Sequence, residues 1–219
     1  DGVMASAGEY GLVTLLEQMD GQHLGDLSQV ANLVYWDGHQ VRSNPRRNAP
    51  RLNEFPPLDV SVLHHASSYE QLPYFATAGC PFTCDFCYEP QIHPIYDKNK
   101  ADFVLRDLDR VLGHTVDTPF VSFVDPLFGA DKKVTVPLLK GLRERNIKYT
   151  LYTRADILDE ELFELMEGQC RLMFIGLEAV TESSLAFMNK TNNVSLYMKH
   201  MQKTMELCFR YGVTPQVGV

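Results

Sequence analysis

The feature that most constrains the fold is a regular alternation, from Pro73 onwards, of short apolar runs and amphipathic helical segments. The apolar runs predict five strands, at residues 73–78, 120–124, 148–153, 172–177 and 213–219. The amphipathic segments predict helices at residues 101–113, 132–146, 159–168, 181–189 and 195–211. Strand–helix–strand units with short connections form right-handed crossovers and hence a parallel sheet. The sequence therefore predicts an α/β fold with its site at the carboxyl ends of the strands.

Two local features refine this prediction. Ser195 starts the longest helical segment and is expected to be its N-cap, while Gly212 is expected to end it. Pro215 lies inside the fifth predicted strand. Because proline cannot donate to a strand ladder, we expect this strand to lie at a sheet edge or to contain a bulge.

Three cysteines follow the first predicted strand within eight residues, in the sequence CPFTCDFC of residues 80–87. Thiolates at Cys80, Cys84 and Cys87 can hold three corners of a cubane iron–sulfur cluster and leave the fourth iron without a protein ligand. An open metal position is where a substrate can bind, as in catalytic metal sites generally. Gly79 allows the backbone to turn close to such a cluster.

Zinc is the alternative occupant of this loop, but it needs four ligands. The residues that could supply the fourth are Cys170, Cys208, His64, His65 and His93. Cys170 and Cys208 fall on the apolar sides of a strand start and of a helix, where a free cysteine is most often a small core residue. We therefore expect these two to be structural, and the three-plus-two spacing favours the cluster over zinc.

Composition excludes several other classes. The five cysteines are an odd number and three are clustered, which argues against a secreted disulfide framework and for a reducing, cytoplasmic location. The net charge is −8, from 20 basic and 28 acidic residues, which argues against a nucleic-acid partner. No run of about 18 apolar residues occurs, so no membrane span is expected.

The pattern Cys-x-x-x-Cys-x-aromatic-Cys after a first strand resembles the signature of the radical S-adenosylmethionine (SAM) superfamily. This resemblance implies a six-strand partial (β/α)6 TIM-like barrel, of which the chain holds the first five strands. It also implies that Cys80, Cys84 and Cys87 bind a [4Fe-4S] cluster whose open iron is chelated by SAM. An external flavodoxin- or ferredoxin-like donor would supply the electron that breaks the sulfonium and yields a 5′-deoxyadenosyl radical.

The resemblance also suggests residues that contact SAM at successive strand ends. The Phe86 backbone would approach the adenine, and Asp125, after the second strand, would meet the methionine amino group, although many members have Gly-Gly-Glu there. Arg154, after the third strand, could pair with the methionine carboxylate. Glu178, in the Gly-Leu-Glu segment after the fourth, would contact the ribose or the amino group. The alternative for each charged residue is a surface charge or a helix N-terminal acid.

The first 58 residues predict a smaller unit that continues into a linker. Residues 11–19 are helical, Asp37-Gly38 predicts a hairpin, and residues 42–58 are rich in proline. One helix and one hairpin bury too little surface to be stable alone, so we expect the chain to be cut from a longer one. This segment resembles the junction in cobalamin-binding radical SAM proteins, where a Rossmann-like cobalamin domain precedes the barrel. The resemblance implies that residues 1–58 are the C-terminal remnant of such a domain plus the proline-rich linker. Residues 59–219 would be the radical SAM core, truncated at the fifth strand.

The sequence thus predicts a radical SAM enzyme with a [4Fe-4S] cluster, SAM and, in the methyltransferase branch, cobalamin. Its substrate would be a small molecule or a peptide. Two alternatives stay open. One is a radical SAM enzyme that does not use cobalamin, and the other is an iron–sulfur electron carrier or a zinc-binding module without a SAM site.

Overall fold

The structure of the protein is a computed structural model that describes residues 2–20, 23–62, 69–113 and 120–219. The N-terminal elements are β1 (Gly2–Met4), α1 (Glu9–Glu17), β2 (Met19–Asp20), β3 (His23–Leu24), β4 (Leu33–Trp36) and β5 (Val41–Ser43). β1, β4 and β5 form an antiparallel sheet in that order. The Asp37 carboxylate accepts the N–H groups of His39 and Gln40 in the β4–β5 turn. The predicted helix and hairpin are confirmed, although the helix spans Glu9–Glu17 and Met19, predicted to be its last residue, lies in β2.

The proline-rich segment after the hairpin is extended, as predicted. Residues 44–51 and 56–59 have no regular structure, and a 3-10 turn lies between them at Leu52–Glu54. Two N–H groups of the segment donate to buried or half-buried carboxylates, Leu52 to Asp97 Oδ2 (2.7 Å) and Leu58 to Asp107 Oδ1 (3.1 Å). These bonds hold the linker against the α/β unit that follows.

The second part of the chain is an α/β unit. Its elements are β6 (Gln71–Tyr74), β7 (Thr77–Ala78), α2 (Glu89–Ile92), β8 (Asp97–Lys98), α3 (Ala101–Leu112), β9 (Phe120–Phe123), α4 (Lys132–Glu144), β10 (Lys148–Thr153), α5 (Glu160–Met166), β11 (Cys170–Gly176), α6 (Glu182–Phe187), α7 (Val194–Arg210) and β12 (Thr214–Gly218). Five strands pair in the order β12-β11-β10-β9-β6, and every pair is parallel. The predicted alternation and parallel sheet are confirmed.

The first predicted strand, residues 73–78, is divided in the structure. β6 follows β9 only as far as the pair Tyr74–Phe123, and the backbone then bends at Ala76. β7 leaves the main sheet and pairs antiparallel with β8. The apolar sequence of residues 73–78 does not indicate this bend. At the bend, the Ala76 N–H donates to the Asp125 carboxylate, a tertiary contact that the local sequence cannot predict.

Two predictions about the last helix and strand have different outcomes. The prediction that Ser195 caps α7 is wrong, since the Asn193 side chain accepts the Leu196 N–H (3.0 Å) and the helix already includes Ser195. Pro215 lies in β12 opposite Met173, in an uninterrupted register. β12 is the outermost of the described strands, and its register with β11 shows no bulge.

The hydrophobic core lies between the sheet and its helices. On β10, Tyr149, Leu151 and Thr153 are buried on the helix side, whereas Tyr152 lies on the opposite face and is exposed. Cys170 and Cys208 are 2% and 0% exposed within this core, which confirms that they are core residues. The prediction of a partial barrel, the domain boundary at residue 58 and the Rossmann-like remnant stay predictions.

Candidate active site

The cysteine loop begins where β7 ends, a few residues beyond the carboxyl end of β6, the first strand of the main sheet. Gly79 has a φ of +72°, and a Cβ there would lie 2.6 Å from the Ile95 carbonyl oxygen, so only glycine fits this turn. Its N–H donates to Glu89 Oε1 at 3.1 Å, and the Cys87 N–H donates to the Cys84 carbonyl at 3.0 Å. The loop therefore has a defined shape that holds its thiols half-buried.

The segment after α6 fixes the other side of the loop. The Asp85 N–H donates to the Met188 carbonyl at 3.0 Å, and the Asn189 side-chain amide donates to the Thr83 carbonyl at 3.1 Å. Asn189 adopts a φ of +51°, a region that asparagine tolerates better than most residues. Two backbone groups between Cys80 and Cys87 are thus bound to a distant part of the chain.

Arg154 lies directly against the loop at the end of β10. It is 4% exposed, and its guanidinium Cζ lies 3.7 Å from the centroid of the Phe82 ring. Its Nη1 donates to the Cys84 sulfur at 3.4 Å, and its Nε and Nη2 donate to the two oxygens of Asp156 at 2.9 and 2.8 Å. The bidentate contact that the sequence suggested for a ligand carboxylate is made by Asp156 in this structure.

Glu178 and Phe86 are joined through a lysine to which the sequence gave no role. Glu178 follows β11 with a φ of +72°, and its Oε1 accepts from the Lys190 ammonium at 3.0 Å. The same ammonium lies 5.7 Å from the centroid of the Phe86 ring, within cation–π range. Lys190 is only 5% exposed, so Glu178 provides the counter-charge for a buried cation.

Asp125 has a different set of partners, in the bend that precedes the cysteine loop. Its carboxylate is fully buried and accepts from the Ala76 N–H (3.3 Å), the Thr77 N–H and the Thr77 hydroxyl (2.6 Å). Burial raises the pKa of Asp125 to about 6, against the opposing effect of these hydrogen bonds. The residue ties the end of β9 to the bend that leads into the cysteine loop.

The loop itself supplies three cysteine sulfurs, one fewer than the four ligands of a structural zinc site. In the described ranges, no three His, Cys, Asp or Glu side chains converge on one point that a metal ion could occupy. One zinc ion would draw its thiolates to about 2.3 Å from itself, whereas a cubane binds each cysteine at a separate iron. His93 Nδ1 lies 2.9 Å from Glu89, and His64 and His65 lie outside the described residues.

The three thiols are close enough to affect one another. Burial raises the pKa of the Cys80 thiol, and the neighbouring Cys84 and Cys87 raise it further. Bound iron would replace the protons and remove that cost, because metal binding to cysteine releases protons. The contacts therefore link the loop cysteines, Phe86, Arg154 and Glu178 in one region, while Asp125 binds the bend just before the loop.

Comparison with known proteins decides the family. The family model of the Radical SAM superfamily matches residues 74–217, which include the cysteine loop and three of the five sheet strands in full. The chain belongs to the radical SAM superfamily. The resemblance drawn from the cysteine spacing is confirmed, and the chain is part of an enzyme. Membership implies SAM and a [4Fe-4S] cluster as cofactors of this radical SAM core.

Curated relatives of this radical SAM chain are named as methyltransferases. Bacteriochlorophyllide d C-8(2)-methyltransferase of Chlorobaculum tepidum is 24% identical over 78% of this chain and 41% of its own length. Bacteriochlorophyllide d C-12(1)-methyltransferase of the same organism is 30% identical over 59% and 29%. Hopanoid C-2 methylase of Rhodopseudomonas palustris is 24% identical over 91% and 40%. The chain thus spans at most about two fifths of these relatives.

A solved structure shares the fold of this radical SAM core. It is described as native anSMEcpe with bound AdoMet and Kp18Cys peptide, and it superposes with a TM-score of 0.51 over 67% of this chain and 42% of that chain, at 18% identity. Within the described residues, none of the helices is long and apolar enough to cross a membrane.

Several residues of the site were missed from the sequence. Lys190, Asp156 and Tyr197 all lie at or near the junction of Arg154 and Glu178, and the Tyr197 hydroxyl donates to the Gly176 carbonyl at 2.5 Å. The Lys190 carbonyl accepts from Arg154 Nη2 at 2.8 Å. Lys190 therefore contacts Arg154 through its backbone and Glu178 through its ammonium. The features that mark Lys190 as a site residue are its burial and the positive φ of the preceding Asn189, and neither can be read from the sequence.

Proposed function

We propose that the chain carries the catalytic core of a radical SAM methyltransferase, with Cys80, Cys84 and Cys87 as ligands of a [4Fe-4S] cluster. The observation that carries this proposal is the doubly anchored loop inside the family-matched region, with three free and half-buried thiols, of which Cys84 is bound by Arg154. When bound, the cluster supplies the electron that cleaves the SAM sulfonium. The rest of a six-strand partial barrel would come from the remainder of the protein.

The predicted SAM contacts differ in how far the geometry supports them. Glu178 has a second carboxylate oxygen beyond the one held by Lys190, and that oxygen can accept from a ribose hydroxyl or from the ammonium. Phe86 lies beside Lys190, half-exposed, so its backbone can meet the adenine edge. Arg154 has one N–H left after four hydrogen bonds and would give the SAM carboxylate a single bond.

Asp125 stays a prediction as a SAM ligand, and the structure supports an indirect contribution more strongly. Its Oδ2 accepts from the Ala76 N–H, and its Oδ1 accepts from the Thr77 N–H and hydroxyl. A change at Asp125 would therefore alter the position of the loop before it altered a contact with the methionine ammonium.

Methyl transfer with cobalamin is supported by two observations. Relatives that align over most of this chain are named methyltransferases, and the linker and hairpin resemble the junction that follows a cobalamin domain. The Rossmann-like cobalamin domain would lie in the part of the protein outside this chain, whose relatives are more than twice as long. The second candidate is a radical SAM enzyme without cobalamin, since the cluster site does not depend on that domain.

The substrate, a small molecule or a peptide, would meet SAM on the open face of the sheet. Tyr152 and Phe174 lie side by side there with ring centroids 5.3 Å apart, and Ser122, Thr150 and Gln71 are linked by hydrogen bonds of 3.1 and 3.4 Å towards the other end. The aromatic pair favours a substrate with an apolar or ring-containing group near the reacting atom. The electron donor would be flavodoxin- or ferredoxin-like, in the cytoplasm.

The test is anaerobic reconstitution of the full-length protein with SAM and a reductant, with and without cobalamin. Mass spectrometry then measures 5′-deoxyadenosine and S-adenosylhomocysteine. A methyltransferase that uses cobalamin gives S-adenosylhomocysteine only when cobalamin is present. 5′-Deoxyadenosine without any cobalamin dependence supports the second candidate, and the absence of both products from iron-loaded protein contradicts a radical SAM function.

A further inference from the structure

The guanidinium of Arg154 connects the cysteine loop to two other segments. Four of its five N–H groups are used, two on Asp156, one on the Lys190 carbonyl and one on the Cys84 sulfur. Its flat face covers the Phe82 ring, two residues before Cys84. Because the side chain is almost completely buried, its charge is weakly screened by water.

This position matters because of what a cluster would bring to the loop. Three cysteine thiolates carry negative charge, and reduction adds one electron more. Hydrogen bonds to the sulfurs and the net charge nearby are among the factors that set the reduction potential of a cluster. An N–H donated to the Cys84 sulfur by a buried cation favours the reduced state, whereas a carboxylate paired with that cation weakens the effect.

We propose that Arg154 and Asp156 are positioning residues that set the reduction potential of the cluster in opposite directions. Arg154 raises the potential through its charge and its N–H bond to the Cys84 sulfur. Asp156 lowers it by neutralising part of that charge. The proposal rests on the proposed cluster ligation by Cys80, Cys84 and Cys87, and it goes beyond the predicted contact between Arg154 and SAM.

A purely scaffolding ion pair makes a different prediction. If Arg154 and Asp156 only hold the loop in shape, the loss of either partner loosens the same loop, and both variants change in the same direction. If they act through charge, Arg154→Gln lowers the potential and Asp156→Asn raises it. The sign of the two shifts therefore separates an electrostatic role from a structural one.

The experiment is an EPR-monitored potentiometric titration of the full-length, anaerobically reconstituted holoenzyme. Iron content and the EPR signal of the wild type test the cluster itself, independently of the two variants. Arg145→Gln is the matched control, because Arg145 forms a similar two-bond contact with Asp109 (2.8 and 3.0 Å) on the outer helices. Its potential should equal that of the wild type.

We expect each site variant to change the reduction equilibrium by about tenfold, which is about 59 mV for a one-electron couple, with opposite signs. If Arg154→Gln does not retain iron, the test rests on Asp156→Asn alone, and a reduction potential above that of the wild type supports the proposal. Shifts of the same sign, an unchanged potential, or loss of iron from both variants would overturn the proposal. A wild type without a cluster signal would instead contradict the proposed function.

Discussion

Asp125 gives the prediction that can be worked out most fully, since its carboxylate is buried and yet receives three hydrogen bonds. The change is Asp125→Asn, which keeps the size of the side chain and removes its ionisation. Burial raises the pKa of Asp125 from the ordinary 3.8 to about 6. In the native protein the carboxyl group therefore holds its proton at pH values where the unfolded chain has already lost it.

The sign and size of the effect follow from this difference. Because the folded pKa is higher than the unfolded one, the contribution is fully present below pH 3.8 and is lost as the pH rises through about 6. The whole difference corresponds to about 3 kcal/mol, and about 2 kcal/mol of it falls between pH 4.5 and pH 6.5. The asparagine side chain does not titrate, so its contribution does not change with pH. The free energy of unfolding of the wild type, minus that of Asp125→Asn, should therefore fall by about 2 kcal/mol between pH 4.5 and pH 6.5.

The assay is urea unfolding of the iron-free full-length protein and its variant at both pH values. Other titrating groups are common to the two proteins and cancel in the difference. Asp131→Asn is a suitable control, because the hydrogen bond from Lys98 lowers the pKa of Asp131. The difference in free energy of unfolding between the wild type and Asp131→Asn should therefore not fall as the pH rises. A difference between wild type and Asp125→Asn that does not change with pH would refute the reasoning.

Three further predictions concern the loop, the SAM site and the core. Gly79→Ala should lower iron content, because the new Cβ would meet the Ile95 carbonyl and the positive φ strains any L side chain; full iron loading would contradict this. Glu178→Gln should weaken SAM binding to the iron-loaded protein about thirtyfold, or about 2 kcal/mol, by equilibrium binding, while exposed Glu182→Gln should bind like the wild type. Cys208→Ser should retain iron but lose about 1–3 kcal/mol in urea unfolding, and an unchanged stability would argue against its core position.

The sequence predicted the sheet well where a single periodic pattern covered a whole element. The strand predicted at residues 148–153 has the observed bounds of β10, since alternation and flanking polar residues agree there. The N-cap of α7 was misplaced by two residues because Asn193 and Ser195 are both good capping residues, and only the hydrogen bond to Leu196 distinguishes them. The bend after β6 depends on Asp125, which lies 49 residues away.

The candidate site shows the same division between local and tertiary information. The cysteine spacing and Gly79 are local signals, so the loop could be predicted from the sequence. The partners of Arg154 could not, because a strand-end arginine can face a ligand carboxylate or a neighbouring aspartate, and here Asp156 lies two residues away. Lys190 was overlooked because its burial depends on the segment folding back over the cysteine loop.

Iron and sulfide content of the anaerobically reconstituted full-length protein is the measurement that tests the central claim most directly. It should be compared between the wild type, Cys84→Ala and Cys170→Ser, the last being a cysteine of the core that lies away from the loop. We predict about four iron and four sulfide per chain in the wild type and in Cys170→Ser, with loss of the cluster in Cys84→Ala. Full iron content in Cys84→Ala, or zinc in place of iron in the wild type, would contradict the assignment.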